Sequence, residues 1–135
     1  MAVQLNHTII WCHDNKKSAL WLAELLGLPE PFTMGPFYII ALENDVTLDF
    51  LGIEFRNQKL PDPNLVPQQH FCFLVTEEEF DGIFGRIKEW NLEYYADSFH
   101  KEPGEINHND GGRGVYFKDL DGHNVEVITV PYGGF

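Results

Sequence analysis

Hydrophobic and polar positions along the chain follow the same order twice. One short apolar run opens at His7 and another at His70, and each leads into a segment with the period of an amphipathic helix. Each half then ends in a strand that carries a carboxylate among apolar neighbours, Asp49 in the first and Glu126 in the second. Such internal repetition predicts two copies of one structural module.

The first copy, about residues 4–55, is predicted to be a β-α-β-β-β unit. Alternation over residues 4–12 indicates the opening strand. Either Asp14 or Asn15 is expected to cap the helix that follows, and Gly27 is expected to end it. Short strands separated by turn residues complete the unit.

The second copy, about residues 69–131, repeats this order. After a strand over 69–75, Thr76 and Glu79 have the spacing of a capping box and predict a helix start. Further strands are expected near 93–98, 113–118 and 123–130. The two modules together predict an α+β fold in which each βαβββ unit curves into half a barrel around a metal or substrate cleft.

Two segments lie outside the repeat. Residues 56–68 contain Pro61, Pro63 and Pro67 and predict a linker between the modules. Residues 99–112 form a polar, turn-rich insertion in the second copy. This insertion is either a solvated loop or a lid over a site.

Composition limits the classes of function. The 135 residues, 44% of them hydrophobic, are enough for a single globular domain over residues 1–135. A net charge of -12 argues against nucleic acid and anionic membrane surfaces as partners. No apolar run reaches the length of a membrane span, and no signal segment is recognisable, so a cytoplasmic location is expected. The two cysteines are expected to be reduced.

The two histidines and the two strand carboxylates suggest a metal site. If the modules share one hollow, His7, His70, Asp49 and Glu126 converge there. Two imidazoles and one carboxylate leave open positions on a divalent ion and suit Fe(II) or Mn(II). A carboxylate within an apolar strand is costly to bury without a partner. The alternative is an edge strand with one wet face, which shows the same alternation.

Further side chains are candidates for substrate contact or for supporting the metal ligands. Alternation directs Trp11, Thr47 and Cys72 toward the hollow, giving it a mixed apolar and polar wall. His108 and Arg113, beside a Gly-Gly turn, are candidates to meet a substrate anion or to relay a proton. The alternative for these two is an ordinary solvated loop position.

The run Gly114–Glu126 resembles the closing motif of the vicinal oxygen chelate superfamily, which includes glyoxalase I, fosfomycin-resistance proteins, extradiol dioxygenases and bleomycin-resistance proteins. The runs Leu5–His7 and Gln69–His70 are similar to its first two ligand positions. The resemblance implies one divalent ion per site, Fe, Mn, Ni or Zn. The triad that it implies is His7, His70 and Glu126.

Two more residues correspond to functional positions of that superfamily. Asp49 lies where glyoxalase I has a glutamate ligand, which makes it a possible fourth ligand or a base. Tyr116 matches a pocket tyrosine of the fosfomycin-resistance branch. The resemblance also implies a homodimer. Chains of this kind either complete the half-barrel within one chain or exchange modules across a two-fold axis, and the exchange is the preferred expectation: His7 of one subunit then joins the second-module ligands of the other.

The function expected from these features is that of a metal-dependent enzyme acting on a small substrate with two adjacent oxygens. The chemistry is either of the isomerase or lyase type or oxidative ring cleavage. The alternatives are a protein that binds and sequesters a small, drug-like molecule without chemistry, and a metal-stabilised scaffold with a vestigial site.

Overall fold

The computed structural model describes residues 3–134. The chain divides into two compact units, Met1–Pro67 and Gln68–Phe135. Within residues 3–134, each unit has one α-helix and a mixed four-stranded sheet, in the order β-α-β-β-β. The predicted α+β fold with two βαβββ modules is confirmed. No helix within residues 3–134 is long and apolar enough to cross a membrane.

In the first unit, the first and the last strand in chain order pair with each other. Strand β1 runs parallel to β4, and the remaining neighbours are antiparallel, in the order β1-β4-β3-β2. The elements are β1 His7–Cys12, α1 Asn15–Leu26, β2 Phe32–Met34, β3 Phe37–Ala41 and β4 Thr47–Gly52.

Helix α1 begins and ends where its capping residues require. Of the two candidates for the N-cap, the structure selects Asp14, whose side chain accepts a hydrogen bond from the Lys17 backbone N–H at 3.1 Å. Gly27 ends the helix in the left-handed conformation, at φ 71°, which costs a residue without Cβ little. The prediction for Gly27 is therefore confirmed.

The second unit repeats this topology. Its sheet has the order β5-β8-β7-β6, with β5 parallel to β8 and the other pairs antiparallel. The elements are β5 His70–Leu74, α2 Glu77–Glu89, β6 Tyr94–Tyr95, β7 Gly114–Lys118 and β8 Asn124–Ile128.

The capping box that starts α2 is confirmed in both directions. The Glu79 backbone N–H donates to the Thr76 hydroxyl at 3.1 Å, and the Thr76 N–H donates to the Glu79 carboxylate at 2.8 Å. The helix then buries Phe80, Ile83 and Ile87. These positions are three or four residues apart, as one face of a helix requires.

Strand β6 is shorter than the sequence suggests, because the chain turns at Asp97. The Asp97 carboxylate accepts hydrogen bonds from the backbone N–H groups of Lys101 and Glu102, at 2.8 and 2.9 Å. A side chain that satisfies backbone donors in this way competes with the strand ladder. The strand therefore covers Tyr94–Tyr95 instead of residues 93–98.

The segment over residues 56–68 contains neither helix nor strand, and the boundary between the two units falls at Pro67. The role of the segment as a linker stays a prediction. Arg56 fastens part of the segment, because its guanidinium donates to the Leu65 carbonyl at 2.6 Å and to the Pro63 carbonyl at 3.4 Å.

Candidate active site

In the second unit, strand register places four candidate site residues on one sheet face. Cys72 and Tyr116 both lie opposite Glu126, on the two strands that flank it. His70 lies opposite Asn124, two residues earlier. Since side chains two residues apart share a face, His70, Cys72, Tyr116 and Glu126 point the same way.

One polar contact on this face joins His70 to Glu126. Glu126 is only 1% exposed, and its Oε1 lies 3.2 Å from His70 Nε2. The other ring nitrogen, Nδ1, lies 2.8 Å from the Asn124 backbone carbonyl oxygen. Because that oxygen can only accept, Nδ1 carries a proton and Nε2 is directed at the carboxylate.

With Nδ1 donating to the carbonyl, the Nε2 lone pair faces the lone pairs of the buried carboxylate. A proton shared between the two groups, or a bound cation, relieves this contact. Two ligand atoms at about a right angle around a cation, with bonds of about 2.1 Å, lie about 3 Å apart. The observed separation of 3.2 Å therefore fits a pair of metal ligands.

Two tyrosines surround the other side of the carboxylate. Tyr132 donates a hydrogen bond to Glu126 Oε2, and the hydroxyl groups of Tyr116 and Tyr132 lie 3.0 Å apart. Burial, together with hydrogen bonding around the carboxylate, raises the pKa of both phenols. Both hydroxyl groups therefore stay protonated at neutral pH and act as donors near Glu126.

Cys72 completes the polar wall. Desolvation of the sulfur and the nearby Glu126 charge raise the pKa of the Cys72 thiol to about 12, although the residue as a whole is exposed. The thiol is therefore protonated at neutral pH and is a weak nucleophile. Cys12 is buried in the first unit and points to the sheet face opposite that of His7, as alternation predicts.

The first unit has the same register but different chemistry. His7 lies opposite Thr47, and Asp49 lies two residues further on the same face, opposite Ile9. The Thr47 hydroxyl donates to Asp49 Oδ1 at 2.8 Å, and the exposed His7 ring contacts the Asn6 side chain at 2.7 Å. Trp11, half-buried, shares the His7 face.

Arg113 is engaged elsewhere in the structure. Its guanidinium forms ion pairs with Glu77 and Asp81, both at 2.8 Å, and lies over the Phe80 ring at 4.4 Å from the ring centre. These partners belong to α2, so the side chain reaches toward the helix. Its role toward a substrate anion stays a prediction to which this placement gives no support. His108 is exposed in the loop, and its role also stays a prediction.

The insertion over residues 99–112 is tied to the sheet near the site. The His100 ring stacks on Tyr95 with 4.1 Å between ring centres, and its Nε2 lies 2.9 Å from the Asn124 side-chain oxygen. Further along, the Asn107 side chain donates to the Ala96 carbonyl at 2.8 Å. The insertion is therefore held at two points, and its action as a lid stays a prediction.

The predicted metal triad is only partly assembled in these observations. The structure brings His70 and Glu126 together, but no three His, Cys, Asp or Glu side chains within residues 3–134 are grouped so as to hold a metal ion. His7 as third ligand, and Asp49 as fourth ligand or base, stay predictions.

Sequence reasoning missed two residues near the carboxylate. Tyr132 follows the last strand, in a Pro-Tyr-Gly-Gly run that is typical of a turn. Asn124 was seen only as a strand residue, although its carbonyl orients His70 and its side chain binds the insertion. Alternation was an available signal for Asn124, since it shares the Glu126 face, whereas no periodic signal marks Tyr132.

Comparison with solved structures identifies close relatives. The chain is 52% identical to a protein described as oxidase ChaP-H1, covering 98% of this chain and 100% of that one, with a TM-score of 0.88. It is 51% identical to oxidase ChaP-H2, covering 99% and 98%, also with a TM-score of 0.88. A lactoylglutathione lyase from Agrobacterium tumefaciens shares the fold at 18% identity, with a TM-score of 0.69 and coverage of 96% and 95%.

No family model matches the chain, and no curated protein matches it. The near-complete alignment with relatives about half identical in sequence, together with the shared fold, is nevertheless sufficient to assign the superfamily of this chain. The chain belongs to the vicinal oxygen chelate superfamily, also called the glyoxalase, bleomycin-resistance and dioxygenase superfamily.

Proposed function

We propose that this protein is a metal-dependent oxidase that acts on a small substrate with two adjacent oxygens. The observation that carries the proposal is the buried Glu126 carboxylate with His70 Nε2 at 3.2 Å, a pair that calls for a cation. The names of the two close relatives, both oxidases, favour oxidation over isomerase or lyase chemistry.

The residues present fit a divalent ion. His70 would bind through Nε2 and Glu126 through Oε1, and the Asn124 carbonyl holds His70 in the tautomer that a metal ligand needs. Such an ion supplies a Lewis acid for adjacent substrate oxygens and, as Fe(II), electron transfer to dioxygen.

The chain's own groups define the surroundings of that pair. The Tyr116 and Tyr132 hydroxyls donate toward the carboxylate side, and the protonated Cys72 thiol adds a weakly polar wall. In the first unit, the Thr47 hydroxyl donates to one carboxylate oxygen of Asp49, Oδ1. We propose that the other oxygen, Oδ2, accepts a substrate proton.

The third ligand in this proposal is His7. In a homodimer with exchanged modules, His7 would come from the other copy of the chain. Mixing His7→Ala protein with Glu126→Ala protein tests this directly. Exchanged modules restore one intact site in each mixed dimer and with it metal binding, whereas sites built within one chain stay defective. Light scattering that shows a monomer at micromolar concentration contradicts the exchange.

The central experiment measures metal content and oxygen uptake together. Elemental analysis, and thermal shift with Fe(II), Mn(II), Ni(II) and Zn(II), are expected to show stoichiometric metal that His70→Ala and Glu126→Ala remove. His13→Ala, at an exposed histidine before α1, is the matched control. The Fe(II)-loaded protein is then tested for oxygen uptake with catechols and hydroxyketones. Stoichiometric binding of a compound without metal or turnover would support the sequestering alternative instead.

A further inference from the structure

The two oxygens of the Glu126 carboxylate contact different side chains, and one of these side chains is Tyr132. It lies in the short 3-10 turn Tyr132–Gly134 that follows β8, and its hydroxyl donates to Glu126 Oε2. The opposite oxygen, Oε1, faces His70 Nε2 at 3.2 Å. One oxygen of the carboxylate is thus held by a phenol, and the other is directed toward the proposed metal position.

The hydrogen bonds to Tyr132 have only one consistent direction. A phenol has a single proton. Because Tyr132 uses its proton for Glu126, its oxygen accepts from Tyr116, 3.0 Å away, and the Tyr116 hydroxyl also interacts with the Glu126 carboxylate. Tyr116 is 7% exposed and lies opposite Glu126 in the sheet. The exposed tyrosine is therefore backed by a buried one whose backbone is held by strand pairing.

Carboxylates bind cations through one oxygen or through both. We infer that Tyr132, backed by Tyr116, is a positioning residue that restricts Glu126 to one-oxygen binding through Oε1. The inference rests on the metal site proposed above and adds a residue to it. A carboxylate that binds through one oxygen leaves a further position on the ion free, and a substrate with two adjacent oxygens needs two such positions.

The test uses the full-length protein loaded with Co(II), whose visible absorption weakens as its coordination number rises. In Tyr132→Phe the freed Oε2 is expected to join the ion, so the absorption intensity falls while one Co(II) stays bound. Tyr116→Phe keeps the Tyr132 contact but removes the donor behind it, and a smaller loss is expected. Tyr95→Phe is the matched control, because Tyr95 also donates to a glutamate, Glu93, at 3.0 Å.

A second measurement needs no metal. The carboxyl carbon of Glu126, followed by NMR in the metal-free protein, is expected to shift in Tyr132→Phe and to stay unchanged in Tyr95→Phe. Unchanged Co(II) absorption or an unchanged carboxyl resonance in Tyr132→Phe would overturn the inference while leaving the metal site in place. If neither the native protein nor Glu126→Gln binds Co(II), the proposed function fails, and the inference falls with it.

Discussion

The two modules share a topology and a register but build different chemistry at matching positions. In each, the strand carboxylate lies opposite the second residue after the opening histidine: Asp49 opposite Ile9, and Glu126 opposite Cys72. Asp49 is half-buried beside a threonine hydroxyl. Glu126 is almost fully buried and contacts an imidazole and a phenol.

This difference shows which part of the proposed metal site a duplicated fold would supply. The repeat places a histidine and a carboxylate on one sheet face in both modules. Neighbouring groups then give the two carboxylates different partners. At the position before Asp49 on the same face is Thr47, whose hydroxyl donates a hydrogen bond to the carboxylate. At the matching position in the second module is Asn124, whose carbonyl instead directs His70 toward Glu126.

The largest expected difference between the modules is in metal affinity. Glu126→Gln is expected to weaken divalent metal binding by more than about 100-fold, because loss of a ligand exceeds the 10- to 100-fold cost of losing a group that only orients one. Asp49→Asn at the matching position is expected to change it far less. Titration calorimetry with Mn(II) or Ni(II) measures both. Equal effects would show that the two carboxylates are equivalent ligands.

A second difference lies in the turn before each final strand. His123 is fully buried, and its Nδ1 accepts from the Gln69 backbone N–H at 2.9 Å, whereas the matching residue of the first module is Val46. His123→Val is expected to lower the free energy of unfolding by about 2 kcal/mol, because the half-buried Gln69 N–H loses its imidazole acceptor. Urea unfolding measures this, with His13→Val as the exposed control. No change in the midpoint would contradict a structural role for His123.

The helix starts differ as well, since Arg113 supports only the second. Arg113→Ala is expected to lower the free energy of unfolding by about 1 kcal/mol, through loss of exposed ion pairs and of the contact with the Phe80 ring. Thermal unfolding at low and high salt checks this, and part of the effect is expected to vanish at high salt. Unchanged stability together with a raised KM for substrate would instead support the predicted role of Arg113 in contacting a substrate anion.

The smallest expected effect is a pH dependence specific to the second module. Burial raises the pKa of Asp119, so the folded protein keeps a proton that the unfolded chain has released above about pH 3.9. The free energy of unfolding therefore decreases as pH rises from the unfolded-state pKa through the folded-state pKa. Asp119→Asn removes this contribution and retains an acceptor for the His123 N–H. Identical pH profiles of native protein and variant would contradict the raised pKa.

Local sequence was sufficient to predict the helices and strands and the order in which they follow one another. Capping at Asp14 and Thr76, the left-handed end at Gly27 and the alternation around Glu126 depend on residues within a few positions of one another. Such short-range rules are visible in the sequence. The repeat then implied that His70 and Glu126 share a face, and the structure places them in contact.

Only the tertiary structure decided which distant groups meet. Tyr132 reaches Glu126, Arg113 turns toward α2, and His100 joins the insertion to Asn124. These contacts depend on the paths of turns and on side-chain rotamers, which no periodic pattern encodes. The sequence by itself therefore determined the modules and the face that carries the chemistry, whereas the partners of each charged group followed from packing.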